Sequence, residues 1–307
     1  MIQSAGAVHT THVAALADND LRPALEASLD GLLAALTLEP VSADRYRVSP
    51  ARGQLFDRIY GGQLLAQALV AAAATVAVGE VSSLHALFVS AGDPDREIDL
   101  AVDRVRDGRS LTTRRVTLAQ DERVLLEALV SFHTTEAGPD IAVPMPDAPP
   151  PDAVPLVQHW AGERADQQGW LDRPPPLEMR IGEPLTFMGG AAGEGPRSHW
   201  MRAPRALGDD PALHAAVLAY ASDFFLMDVL FRSHPDIDGP ARLSGFSLDH
   251  AVWFHRPPRF DRWHLHTQEP IAIVGDRGLG RGVLHDIDGR HVATVVQEII
   301  VRPRAAS

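Results

Sequence analysis

The stretch Ser247-Leu248-Asp249-His250-Ala251-Val252-Trp253-Phe254 has a counterpart in the first half of the chain, Ser83-Leu84-His85-Ala86-Leu87-Phe88. The same punctuation follows each. After the first come Arg106-Asp107-Gly108-Arg109 and Asp121-Glu122-Arg123-Val124; after the second come Gly275-Asp276-Arg277-Gly278 and Asp288-Gly289-Arg290-His291-Val292. Phe88 and Phe254 lie 166 positions apart, and the other correspondences fall within a few residues of that lag. A period of that length is a duplicated domain, not a solenoid repeat.

Working outward from these two strands, each copy reads as strand, one long helix, then a run of antiparallel strands, an α+β layer in which a sheet wraps a helix. In the first copy a helix is expected over 25–36, a strand over 45–48, an Ala/Leu-rich helix over 63–76 opened by Gly61-Gly62, and strands over 82–90, 97–106, 111–120 and 123–134. In the second, Leu177–Ile181 and Ser198–Arg202 lead into a helix over 211–230, with Pro211 suited to its first turn. Strands over 243–256, 263–274, 279–287 and 291–302 follow, and Asp-x-Arg turns at 121–123 and 288–290 suit hairpins. The expected division is residues 25–137, a Pro-rich linker 138–176 with a short helix near 156–168, and 177–303; residues 1–24 read as a loose leader.

Composition narrows the chemistry. The 307 residues suit two domains, and 45% hydrophobic against 22% charged residues allows a core in each. A net charge of −12 disfavours a nucleic-acid or anionic-membrane surface. There is no cysteine, and all 28 basic residues are arginine, so thiolate nucleophiles, disulfides, Schiff-base lysines and phosphate-loop lysines drop out. The longest apolar run, Ala68 to Val78, is about half of a membrane span, and the N-terminus does not resemble a secretory signal, so a cytoplasmic protein is expected.

Three polar residues stand among apolar neighbours. Asp223 falls inside the stripe Ala216, Val217, Tyr220, Phe224, Met227 and Leu230 of the second helix. A carboxylate there is either a structural hydrogen-bonding group or a catalytic one. Strand alternation puts Ser247 with Asp249 and Trp253 on one face, opposite Phe246, Leu248, His250, Val252 and Phe254; taken alone, a serine there reads as a packing residue. On the last strand Gln297 shares a face with Val295, Ile299 and Val301, and its amide needs partners at both ends. The first copy has Val130 or Ser131 opposite Gln297, and its helix offers Gln63 and Gln67 but no acid. Polar groups confined to one copy of a duplicated core point to a site in that copy.

Tyr60-Gly61-Gly62-Gln63, Tyr220-Ala221-Ser222-Asp223, Ser247 through His255-Arg256-Pro257 and Val296-Gln297-Glu298 together resemble the acyl-CoA thioesterase II family, over about residues 28–303. That resemblance implies a double hotdog that hydrolyses fatty acyl-CoA without cofactor, metal or covalent intermediate, and further association into a homo-oligomer. It carries the family's catalytic trio onto Asp223, Ser247 and Gln297, with Asp223 accepting a proton from water. The backbone N–H groups of Gly61 and Gly62 are expected to face the oxyanion. Two rivals stay open: a protein that binds acyl-CoA without hydrolysis, and a hotdog dehydratase, which needs an Asp/His pair that His85, His250 or His255 would complete. A serine-hydrolase elbow is absent around Ser247. Gly278-Leu279-Gly280-Arg281-Gly282 reads as a strand edge or bulge, and His264 and His266 lack a third metal ligand. Arg114, Arg115, Arg259 and Arg262 read as solvated surface, with contact to CoA phosphates as the alternative.

Overall fold

A computed structural model describes residues 18–51, 58–134, 138–162, 167–237 and 243–303. Helix α1 (Asp18–Ala35) precedes β1 (Glu39–Ser42) and β2 (Arg45–Val48); α2 (Gly61–Ala73) then leads to β3 (Glu80–Phe88), β4 (Ile98–Asp107), β5 (Leu111–Gln120) and β6 (Arg123–His133). After the proline-rich segment come α3 (Gly169–Asp172), β7 (Glu178–Ile181), β8 (Arg197–Arg202), α4 (Pro211–Ser222) and α5 (Leu226–Ser233). The chain closes with β9 (Leu243–Ser247), β10 (Asp249–Phe254), β11 (His264–Val274), β12 (Arg277–Asp286) and β13 (His291–Pro303).

The strands form one antiparallel sheet in the order β1-β2-β4-β5-β6-β3-β10-β13-β12-β11-β8-β7, with β9 also on β13. Read outward from the β3/β10 seam in either direction, the order is the same for both copies. His85 pairs with Ala251, its own counterpart at the 166-residue lag, so the pseudo-twofold axis of the duplication passes through that pair. Period-two alternation sorts the side chains: on β5, Thr112, Arg114, Val116, Leu118 and Gln120 are buried. Helices α2 and α4 pack against each other inside the curved sheet, and their alanines and leucines join one continuous core.

Several expectations change here. The leader does not run to residue 24: α1 begins at Asp18 and buries Leu21 and Leu25. The linker is fastened to the second half-sheet, since Trp200 Nε1 donates to the Pro149 carbonyl (2.8 Å) and Arg180 Nη1 to that of Val154 (2.9 Å). Its described helical turns include Pro151–Ala153, Val157–Trp160 and α3. Gly278 to Gly282 is neither an edge nor a bulge but part of β12, between β11 and β13; the register shift is on β11, between Pro270 and Ala272. Its glycines make room, because a Cβ on Gly282 would lie 2.2 Å from His266 Nε2.

The helix expected over 211–230 is two helices. Asp210 caps α4 by accepting from the Ala212 N–H (2.9 Å), and α4 stops at Ser222. Phe225 then takes φ +68°, a left-handed conformation that costs a bulky residue of order 1 kcal/mol or more. Gln268 Nε2 catches the carbonyl of Phe224 at 2.7 Å, and the Phe225 ring packs on His199 and Trp170. Local pattern favours a continuous helix; this tertiary cage overrides it. The 211–233 stretch is long and apolar enough to span a bilayer (mean hydropathy 1.4), yet 83% of that window is buried inside the protein, as befits a core element.

Candidate active site

Asp223 is the residue at which α4 ends. Stopping the helix there frees its side chain to turn out of the helical stripe, toward the start of α2 in the other copy. Oδ2 accepts from the Gly62 N–H at 2.9 Å, and Oδ1 accepts from Gln297 Nε2 at 2.6 Å. Gln297 Nε2 also donates to Ser247 Oγ at 2.7 Å. One amide thus ties together groups from α4, β13 and the end of β9, while the positive end of α2 approaches from the first copy.

Ser247 gets there through a bulge. β9 pairs Ser247 with Ile299, whereas β10 pairs Ala251 with Val296, so one extra residue, Leu248, is inserted on the β9–β10 side. The predicted alternation is therefore wrong at this point: Phe246 is 50% exposed, and Ser247 is turned to the same side as Gln297, not aligned with Trp253, which is exposed. A slip of one residue exchanges the two faces of a strand.

The surroundings are apolar. The ring of Tyr60 packs on Tyr220 (5.0 Å) and Phe224 (4.8 Å), and Phe88 lies beside Gly61. The Asp223 side chain is 7% exposed. Burial raises its carboxyl from 3.8 to about 6, against the opposing effects of the hydrogen bonds from Gln297 and Gly62. The glycines are required by space: a Cβ on Gly62 would sit 2.3 Å from the Tyr220 carbonyl oxygen, and one on Gly61 2.8 Å from Asp223 Oδ2. The Gly62 N–H serves the carboxylate, which corrects its expected role at an oxyanion.

Of the three histidines weighed as an Asp/His partner, His250 is the one beside the trio. It lies behind Asp223, with Nδ1 3.9 Å from Oδ1, and its Nε2 is 2.8 Å from Ser222 Oγ. The signal was present in the sequence, since His250 sits where the alternation demands an apolar residue between Leu248 and Val252. His85 is on the outer face against Trp253, and His255 meets Thr294. Arg114 is a core residue, 1% exposed and bound to Thr75 and Asp107; Arg115, Arg259 and Arg262 are exposed and paired with Asp103, Asp209 and Asp288. Among the described residues no cluster of three His, Cys, Asp or Glu is set to hold a metal; His264 and His266 are fully buried.

Residues 50–133 match the family described as acyl-CoA thioesterase N-terminal domain, and residues 172–300 match acyl-CoA thioesterase. Acyl-coenzyme A thioesterase 8 of Mus musculus is 32% identical over 297 residues, spanning 92% of this chain and 90% of that protein. The chain belongs to the acyl-CoA thioesterase family. Among solved structures, the acyl-CoA thioesterase II TesB2 of Mycobacterium marinum superposes on this family member with a TM-score of 0.72 at 32% identity, over 90% of this chain and 99% of that one. A hot dog fold protein of Alicyclobacillus acidocaldarius, 20% identical, matches the fold at TM-score 0.72 over 89% of this chain and 98% of its own. The thioesterase fold seen here is thus the double hotdog, an α+β architecture, with the C-terminal helix broken at the site.

Proposed function

We propose that this chain hydrolyses acyl-CoA to free fatty acid and CoA, with water as the nucleophile and Asp223 as its general base. The observation that carries the reading is the single Gln297 amide bonded to both Asp223 and Ser247, beside the packed rings of Tyr60, Tyr220 and Phe224. A carboxylate titrating near 6 is ionised at pH 7 yet more basic than an exposed aspartate, which suits proton abstraction at neutral pH. Water entering between the three groups takes over the amide's contacts. Asp223 Oδ1 accepts one of its protons, while Ser247 Oγ and Gln297 fix the lone pair that attacks the thioester carbon. Gln297 Oε1, buried and without a hydrogen-bond partner among the described residues, is an acceptor for the second proton.

Attack forms a C–O bond and an oxyanion; collapse breaks the C–S bond, and the proton held by Asp223 passes to the departing thiolate. With the Gly62 N–H committed to Asp223, the Gly61 N–H, in the first turn of a helix without a side-chain cap, is the donor left at the positive end of α2 for the oxyanion. A dehydratase reading gains the Asp223–His250 pair, but the His250 side chain is 0% exposed behind the carboxylate and does not reach a substrate carbon. A binding protein without turnover has no use for a raised carboxylate held against an alcohol and an amide. The test is a panel of acyl-CoAs from acetyl to palmitoyl, followed by thiol release; the protein has no cysteine to obscure the signal. The reading predicts turnover of at least one member, with kcat rising through an apparent pKa near 6, and fails if none is cleaved.

A further inference from the structure

The second copy differs from the first at one more buried polar position beside the trio. His250 is 1% exposed; its counterpart at the 166-residue lag, Leu84, is 0% exposed and pairs on β6 with Val130, also 0% exposed. The fold therefore accommodates an apolar pair here, and the imidazole is not needed to complete the sheet. Its hydrogen bonding is one-sided. Ser222 Oγ donates to the Ala219 carbonyl at 2.8 Å, which spends the only hydroxyl proton and leaves Oγ to accept from His250 Nε2–H at 2.8 Å. That arrangement favours the tautomer with the proton on Nε2. Nδ1 is then a bare acceptor, buried, without a hydrogen-bond partner among the described residues, 3.9 Å from Asp223 Oδ1.

We propose that His250 is a positioning residue for the general base: locked by Ser222 with its proton on Nε2, it turns a bare lone pair toward Asp223, denies the carboxylate a further donor, and receives the O–H once Asp223 is protonated. This rests on Asp223 acting as the base. While Asp223 is ionised, two acceptors face each other and hold apart at 3.9 Å. When Asp223 takes the proton from water, rotation of the carboxyl brings its O–H within about 2.7 Å of Nδ1, a hydrogen-bond distance. The proton stays on Asp223 oxygen, held by the imidazole until the C–S bond breaks, when the carboxyl turns back and hands it to the leaving sulfur. The other titratable groups nearby stay neutral: Tyr60 and Tyr220 are pushed up by burial, while His266, facing His250, and His199 beyond it are pushed down by burial.

The experiment is a long-range proton–nitrogen correlation spectrum of the whole wild-type protein, labelled at histidine nitrogen, at pH 7. The His250 signals are assigned by their loss in His250→Asn. A protonated Nε2 and bare Nδ1 are expected, and a proton on Nδ1 overturns the proposal. In parallel, His250→Leu is expected to lower kcat about 10-fold with KM within about 2-fold, as loss of positioning does, and to move the acid limb of the kcat profile to lower pH. A limb that stays put or moves up refutes the role, since a purely packing residue leaves it unmoved and a lost donor raises it. Should His250→Leu fail to fold, the wild-type spectrum still decides. Should Asp223→Asn retain turnover, the base assignment falls, whatever the His250 tautomer proves to be.

Discussion

Replacing Asp223 with Asn should destroy activity and raise stability at the same time, and the two effects have one cause. The carboxyl titrates near 3.8 when exposed and near 6 when folded, so the native state holds its proton more tightly than the unfolded chain. As pH rises between those values the folded protein binds more protons than the unfolded one, and stability falls with pH. Above pH 6 the accumulated difference is about 3 kcal/mol at about 1.4 kcal/mol per pKa unit. Asn carries no such cost. Its Oδ1 can keep the Gly62 N–H, and its amide nitrogen can donate to Gln297 Oε1 after the glutamine amide turns over, an orientation that leaves that oxygen satisfied. Part of the gain goes into this re-pairing, whose cost is the same at every pH, so Asp223→Asn is expected to be about 1–3 kcal/mol more stable than wild type at pH 8, and between level with it and about 2 kcal/mol less stable below pH 4. Denaturant titrations at pH 4, 6 and 8 measure this directly. Turnover should drop at least about 100-fold, the scale of a lost general base. A variant less stable than wild type by the same margin at every pH, or one that turns over normally, would refute the reasoning.

Ser247→Ala and Gln297→Ala should each lower kcat by about 10- to 100-fold, and the double variant by far less than the product, because both hold one water; strictly multiplicative losses in steady-state kinetics would separate them. Gly62→Ala drives a methyl to 2.3 Å from the Tyr220 carbonyl, forcing α2 and α4 apart, and should cost more than about 1–3 kcal/mol by denaturant titration; a neutral result would mean the helices do not meet there. Asp228 anchors α5 through the buried Arg197 (2.6 Å) and the half-buried Thr186 N–H (2.9 Å). Asp228→Asn leaves the guanidinium with only the half-exposed Glu183 (3.1 Å) as counter-charge and should destabilise by about 1.5–3 kcal/mol; a change below about 0.5 kcal/mol would show the pair to be idle.

Much of this was legible one residue at a time. The 166-residue echo gave the duplication, because paired strands at a pseudo-twofold axis must repeat their pattern, and His85 against Ala251 is that pair. Strand limits on β4, β5 and β6 followed from alternation. The polar intruders Asp223 and Gln297 stood out because an apolar face tolerates such groups only when they are bonded; Ser247 was reached through the family resemblance, and the structure brings the three together. Arg114 misled, since a guanidinium looks solvated in a sequence and only the Thr75 and Asp107 contacts reveal it as core.

Composition and periodicity determined most of the apolar core and pointed to the buried acid and amide of the second copy, because hydrophobic burial is written residue by residue. Where the polar groups point was decided in three dimensions. The left-handed turn at Phe225 and the extra residue at Leu248 each contradict the local pattern, and each is held by partners distant in the chain: Gln268 and His199 for the helix break, β13 for the strand. A helix or strand left to its neighbours in sequence would run straight through both positions and aim Asp223 and Ser247 elsewhere; the long-range contacts supply the energy to turn them toward Gln297.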